Sequence, residues 1–355
     1  MIPSDDVGER ITAHMWTAAG AARELARRLG TELSLDGPAL LDERAVILGI
    51  EPQGTVSAGG TCRLLPAADR WVALNLARRD DVGLLAAWMG HDWDGPVWDA
   101  VAVALLEMPA AAAVERAQLL GIPAAVAVTP EEASADEQAG ARSQSFPAAP
   151  FLLTGDAGRH VPWPPRVVDL SALWAGPLCG RLLAAAGADV IKVESTARPD
   201  GARAGPPEFY TLMNGEKQEA TVDLSTPAGR AELARLVAAA DVVIDSSRPR
   251  AMAQLGIDVH AQVARGVVWV SITGYGRTGP WSNRVAFGDD AAVAAGLAAV
   301  AGSKTAPRFW GDAVADPAAG LYAAIGSLTG LLAGGSHLVD VAMREAVGHL
   351  LGRHK

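Results

Sequence analysis

The spacing of apolar positions changes character along the chain. Between residues 9 and 29, Ile11, Met15, Ala18, Ala22, Leu25 and Leu29 recur at helical intervals, and Gly30 follows as a C-terminal cap. The pattern predicts an amphipathic helix that packs on another element. In "CRLLPAADRWVALNLARRDD" the period drops to two, with Val72, Leu74 and Leu76 on one face and Trp71, Ala73 and Asn75 on the other. A turn at Ala67 to Arg70 makes this a hairpin-like pair of strands. Helices are expected over 80–89 and 96–119. A short strand in "GIPAAVAVTPEEASAD" then ends at Thr129, which caps a helix opening on Pro130, Glu131 and Glu132.

From 135 to 165 the chain turns polar and then proline-rich. Beyond 166 it alternates regularly: "RVVDL", "DVIKVE", a short strand in "TVDLSTPAGRAELARLVAAA", "DVVIDS" and "GVVWVSIT" read as strands, separated by helical stretches such as "AGPLCGRLLAAAG". Buried strands separated by helices of 10 to 15 residues predict a parallel, doubly wound α/β sheet, Rossmann-like in its organisation. We therefore expect a smaller α+β domain at 1–150, a linker at 151–165 and the doubly wound domain at 166–355.

Composition narrows the function classes. The chain has 355 residues, about twice a usual domain, and its 30 basic against 40 acidic side chains give a net charge of -10. That balance argues against a nucleic-acid partner. Cys62 and Cys179 form no C-x-x-C pair, so neither a disulfide framework nor a metal site is indicated, and a reducing cytoplasm fits. The acidic start "MIPSDDVGER" is unlike a signal peptide, and no apolar run reaches membrane-spanning length, so no membrane association is expected.

One motif invites a cofactor reading. "VSITGYGRTGPWSNR" places Gly274, Gly276 and Gly279 in G-x-G-x-x-G spacing behind a strand. A dinucleotide fingerprint needs its third glycine to open a helix and an acidic residue to close a further strand about 20 residues on. Here "PWSNR" is a poor helix opening, and 287–300 reads as helix. A nicotinamide enzyme is disfavoured.

Several stretches together resemble the class III coenzyme A transferases, the CaiB/BaiF or formyl-CoA transferase family. They are "VVDLSALWAGPLCGRLLAAAGADVIKVES", "NGEKQEATVDLSTPAGRAELARLVAAADVVI", "RPRAMAQLGID", "VVWVSITGYGRTGPW", "VADPAAGLYAAIGSLTGLL" and "LVDVAMREA", in family order. "CRLLPAADRWVALNL" and "LLGIPAAVAVTPEEASAD" resemble the family's smaller domain, which ordinarily comes after these stretches. The resemblance thus implies a circular permutation, with the smaller domain first, and a homodimer of interlocked chains.

It also implies chemistry. Asp316, in "VADPAAGLY", matches the aspartate that attacks an acyl-CoA thioester and carries coenzyme A to a second carboxylic acid through anhydride and aspartyl-thioester intermediates. No tightly bound cofactor is implied, since coenzyme A arrives as the substrate's thioester. Asp316 and Pro317 ahead of an apolar stretch also read as an ordinary helix cap, a position that keeps a carboxylate ionised and its pKa low. Gly274 and Gly276 would admit the thioester and offer N–H groups to an oxyanion, or form a plain turn. For coenzyme A, Ala175 matches the first nucleotide turn, Arg198, Arg203, Lys217 and Arg248 are candidates for the phosphates, and Ser246 and Ser247 stand where the family shows Asn-Phe. Phe287 stands where the related racemases carry a histidine, which disfavours two-base racemisation. An acyl-CoA isomerase or racemase, and an inactive coenzyme A-binding or dimerisation subunit, are the alternative readings.

Overall fold

A computed structural model describes residues 4–142, 149–156, 158 and 160–352. Six strands beyond residue 165, all but the edge strand β7 rich in aliphatic residues, form the parallel part of a seven-stranded sheet: β5 (Arg166–Asp169), β6 (Asp189–Ser195), β7 (Gln218–Val222), β8 (Val242–Asp245), β9 (Val268–Thr273) and β10 (His337–Ala342). Ahead of them lie β1 (Cys62–Pro66), β2 (Trp71–Asn75), β3 (Ala124–Val126) and β4 (Leu152–Gly155). The large sheet runs β4-β10-β9-β8-β5-β6-β7, antiparallel only at the β4 edge. The chain leaves β5 for β6 and β7 on one side, then returns to place β8, β9 and β10 on the other. This is the doubly wound order expected from the sequence, with its topological switch between β5 and β8.

Both faces are covered. Val168, Val193, Val243 and Trp269 pack beneath the helix Pro227–Ala238 and its neighbours. On the other face Val167, Ile244, Val270 and Val339 meet the helices Ala175–Ala185 and Ala315–Leu332. The small sheet, β1-β2-β3, is antiparallel, and Ala67 and Arg70 close the predicted hairpin turn with a 2.7 Å N–H···O bond. One of its faces carries the helices Val97–Leu106 and Ala110–Leu120, around Trp88 and Leu105. Its other face meets Val293 and Ala298 of the large domain. Thr129 caps its helix as predicted, its hydroxyl accepting the Glu132 N–H in a capping box.

Three local expectations differ from the structure. The helix Ser4–Arg28 does not belong to the smaller domain: Val7, Ile11, Met15 and Ala18 enter the large domain's core against Ala315–Leu332. Its stripe of apolar residues finds a matching apolar helix there, which periodicity alone cannot name. The expected linker 151–165 opens on β4, an edge strand hydrogen-bonded to β10. The single helices expected over 96–119 and 287–300 are each broken, at Pro109 and at left-handed Gly296, whose Cα lies against Pro130. Among the described residues no helix is long and apolar enough to cross a membrane.

Candidate active site

The strands of a doubly wound sheet end together at the switch point, and their loops leave a crevice there. In this chain the crevice is an open cleft with about 620 Å³ of empty space. Its walls come from Ala172–Gly176 after β5, Ser246–Pro249 after β8, Ile272–Gly274 at the end of β9 and Met343 after β10. The segment Ser282–Phe287 closes one side, and Asp316 lines the interior.

Asp316 lies in the first turn of the helix Ala315–Leu332. Val314, not Asp316, is the residue that caps this helix. The carboxyl points across to two neighbours. The backbone N–H of Ala175, at the start of the helix Ala175–Ala185, favours its ionised form. On the other side it lies so close to the Cα of Gly288 that a Cβ there would fall 2.3 Å from Oδ2. A helix start on each side favours the ionised carboxylate. The surroundings outweigh that preference: burial, with the charges of Asp289 and Asp312, raises Asp316 to about 7 against the pull of Arg44 and the Ala175 N–H. The expected low pKa is therefore corrected: burial outweighs the two helix starts, and two further carboxylates nearby add to it. Asp289 is itself raised to about 6, chiefly by burial.

Backbone strain concentrates here. Among the described residues Leu173, Ala313 and Ser336 are the non-glycine residues with positive φ. Leu173 (φ 71°) lines the cleft, and Ala313 (φ 45°) lies three residues before Asp316. Each is pinned by a carboxylate: Asp200 Oδ1 accepts the Leu173 N–H at 2.9 Å and Asp289 Oδ1 accepts the Ala313 N–H at 3.2 Å.

Residues 165–354 match the family model described as CoA-transferase family III. The chain belongs to CoA-transferase family III. Similar curated proteins include the succinyl-CoA–D-citramalate CoA-transferase of Chloroflexus aurantiacus, 33% identical over 197 residues, 51% of this chain and 49% of that protein. The succinyl-CoA:glutarate CoA-transferase of Homo sapiens is 32% identical over 177 residues, 47% of this chain and 40% of that protein. The chain spans about half the length, or less, of these relatives. A solved CAIB/BAIF family protein from Brucella suis aligns at 29% identity, covering 56% of each chain with a TM-score of 0.48.

Placed on this family III fold, the residues singled out in the sequence separate into two groups. Gly274, Ala175, Ser246, Ser247 and Arg248 all line the cleft. Arg248 is exposed at the mouth with Arg250 and Arg198, and among the described residues none of the three has a carboxylate partner. Burial, then the charges of Arg250, Arg78 and Arg198, hold the pKa of Arg248 below the ordinary arginine value. An unneutralised cluster of this kind suits an anion.

The other group is committed elsewhere. Lys217 is buried, its ammonium bonded to Asp169 Oδ2 at 2.8 Å, the Pro177 carbonyl at 2.8 Å and Asn214 Oδ1 at 2.9 Å. Arg203 pairs with Glu194 and Glu219 and lies over the Tyr210 ring. Gly276 faces the Arg142 guanidinium, and its N–H is spent on Thr273 Oγ1 at 2.9 Å. Neither cation is available to phosphates, and Gly276 is turned away from the cleft. Gly279 faces Gln138, and no helix follows it, so the glycine triplet is a packing turn.

Sequence reading missed Arg44, Asp289 and Asp312, which surround Asp316, and Arg78 and Arg284 at the rim. Arg78 was findable by the rule that selected the others, as a basic residue just past a strand. It stacks over Phe287 with its centre 5.7 Å from the ring, and Asp81 neutralises it.

Proposed function

We propose that this chain carries a coenzyme A transfer centre acting between two carboxylic acids, with Asp316 as the covalent carrier. The observation that supports it most is a carboxyl placed inside the switch-point cleft with a pKa near 7. At neutral pH such a group is substantially ionised, and its partial removal from water makes it a stronger nucleophile than a solvated carboxylate.

In this reading a carboxylate oxygen of Asp316 attacks the thioester carbonyl, the C–S bond breaks, and coenzyme A leaves as thiolate beside an acyl-aspartyl anhydride. The thiolate then attacks the aspartyl carbonyl, releasing the donor acid as its carboxylate and leaving an aspartyl-CoA thioester. The acceptor carboxylate reverses both steps. Acyl activation is conserved throughout, so no other energy source is needed. Gly274, whose carbonyl is held by the Arg344 N–H at 3.1 Å, presents backbone to the thioester. Arg248, Arg250 and Arg198 would hold the phosphates. The homodimer and the permuted domain order form part of the same proposal, the latter supported by the small sheet preceding the family-matched segment.

The test is to incubate wild type and Asp316→Asn with a panel of acyl-CoA donors and to treat each with hydroxylamine. A mass change on the peptide containing residue 316 is expected in wild type alone. No adduct and no acyl exchange across the panel would overturn the proposal and favour a binding or dimerisation subunit. A pKa of about 7 also suits a general base, and this favours a second reading in which Asp316 removes the α-proton of an acyl-CoA. Deuterium uptake from solvent at the α-carbon separates the two, since transfer requires none.

A further inference from the structure

The family-matched segment does not complete its own site. Glu43–Leu48, a short helix more than 100 residues ahead of that segment, carries Arg44 into the wall behind Asp316. There the guanidinium grips Asp312 with two hydrogen bonds, Nε to Oδ2 at 2.7 Å and Nη2 to Oδ1. Its Cζ lies 5.0 Å from the centre of the ring of Trp174, the residue just before the helix Ala175–Ala185. Asp312 is buried, and it begins the strained loop through Ala313 that leads to Asp316. A planar cation fixed on two sides cannot drift toward solvent as a lysine would.

We propose that Arg44 is a positioning residue for Asp316: it anchors the loop 311–316 through Asp312 and supplies the positive charge beside three neighbouring carboxylates. The inference rests on the reading of Asp316 as the reacting group, but its electrostatic content can be measured without turnover. The charged groups facing Asp316 are Asp289 from the helix Gly288–Ala294, Asp312 from its own loop and Arg44 from Glu43–Leu48, with the Ala175 N–H as the polar neighbour from the fourth side. Both of Arg44's hydrogen bonds go to Asp312 and neither to Asp316, so Arg44 acts on Asp316 through space. Removing the cation should make Asp316 harder to ionise. Removing the competing anion should make it easier.

These opposite signs distinguish the proposal from a purely structural ion pair, which either substitution breaks in the same way. The experiment is a carboxyl 13C NMR titration of aspartate-labelled protein, with the Asp316 signal assigned by its loss in Asp316→Asn. Arg44→Met is expected to move the Asp316 midpoint upward by at least one pH unit, and Asp312→Asn to move it downward. Arg44→Lys, which keeps the charge and loses the fork, should fall between wild type and Arg44→Met. If Arg44→Met does not fold, Asp312→Asn and Arg44→Lys still decide the matter. Unchanged midpoints, or shifts of one sign in all variants, would overturn the proposal. A failure of the hydroxylamine experiment above would instead remove the nucleophile role and leave these shifts intact.

Discussion

Two sets of carboxylates, all buried except the half-buried Asp316, flank the first turn of the helix Ala175–Ala185, and the chain treats them in opposite ways. On one side Asp169 pairs with Lys217 and Asp200 with Lys192, each at 2.8 Å and each all but inaccessible to solvent. Two acids meet two ammonium groups there. On the other side Asp289, Asp312 and Asp316 share the single guanidinium of Arg44. The consequences for the protons diverge: Asp169 is held below the ordinary carboxylate range by Lys217 and Lys192 despite its burial, whereas Asp316 is raised to about 7. A balanced set anchors a fold. An unbalanced set keeps a carboxyl poised between its two forms, which is what acyl or proton transfer requires.

The contrast breaks most visibly through Lys217. Replacing it by methionine leaves Asp169 buried beside an apolar side chain, and breaking a buried pair from one side costs about 3–5 kcal/mol. Urea unfolding of Lys217→Met at pH 7 should show that loss. Because the Asp169 pKa is depressed, its contribution is present above the unfolded-state value and disappears as pH falls through the folded one. Wild type and Lys217→Met should therefore converge in acid. A Lys217→Met variant as stable as wild type at neutral pH would show that the balanced set is no anchor.

The opposite pH dependence belongs to Asp316. Its folded-state pKa is raised, so the native state holds the proton more tightly than the unfolded chain does. That contribution is complete below the ordinary aspartate value and is lost as pH rises through about 7. A shift from 3.8 to about 7 corresponds to at most about 4 kcal/mol, at roughly 1.4 kcal/mol per pH unit. Asp316→Asn removes this slope, so unfolding measured at pH 4 and pH 8 should show the variant gaining on wild type by up to that amount at the higher pH. Equal slopes in the two proteins would place an ordinary, solvated carboxylate at 316. Asp290, raised to about 7, remains in both proteins and cancels in the comparison.

The same contrast shows where sequence reading succeeds. The parallel strands were legible because a strand buried on both faces needs an unbroken aliphatic run, as in Val242, Val243 and Ile244. The hairpin and the Thr129 cap were legible because turn and cap chemistry is local. The helix start at Asp316 was legible from Asp316 and Pro317 ahead of an apolar run, within two residues of its true place. The pKa of Asp316 was not, since Arg44 lies 272 positions away in the chain and Asp289 lies 27 away. Lys217 shows the complementary error: a basic residue near a strand suggests a ligand for phosphate until the fold brings Asp169 to it from 48 residues off. Charges acquire their roles from partners, and partners are a tertiary property.

That rule also predicts the smallest effect. Arg248 and Arg250 are exposed and unneutralised, so replacing both with glutamine should leave unfolding free energy within about 0.5 kcal/mol of wild type. If they hold coenzyme A phosphates, the same double variant should bind free coenzyme A about tenfold more weakly and with a shallower dependence on salt. Arg203→Gln, which removes a cation already spent on Glu194 and Glu219, is the matched control and should leave that affinity unchanged. Calorimetric titration at low and high ionic strength reads both quantities. An affinity loss confined to Arg203→Gln would reverse the assignment: phosphate would then compete for a paired arginine, and the free cluster at the mouth would be ordinary solvated charge.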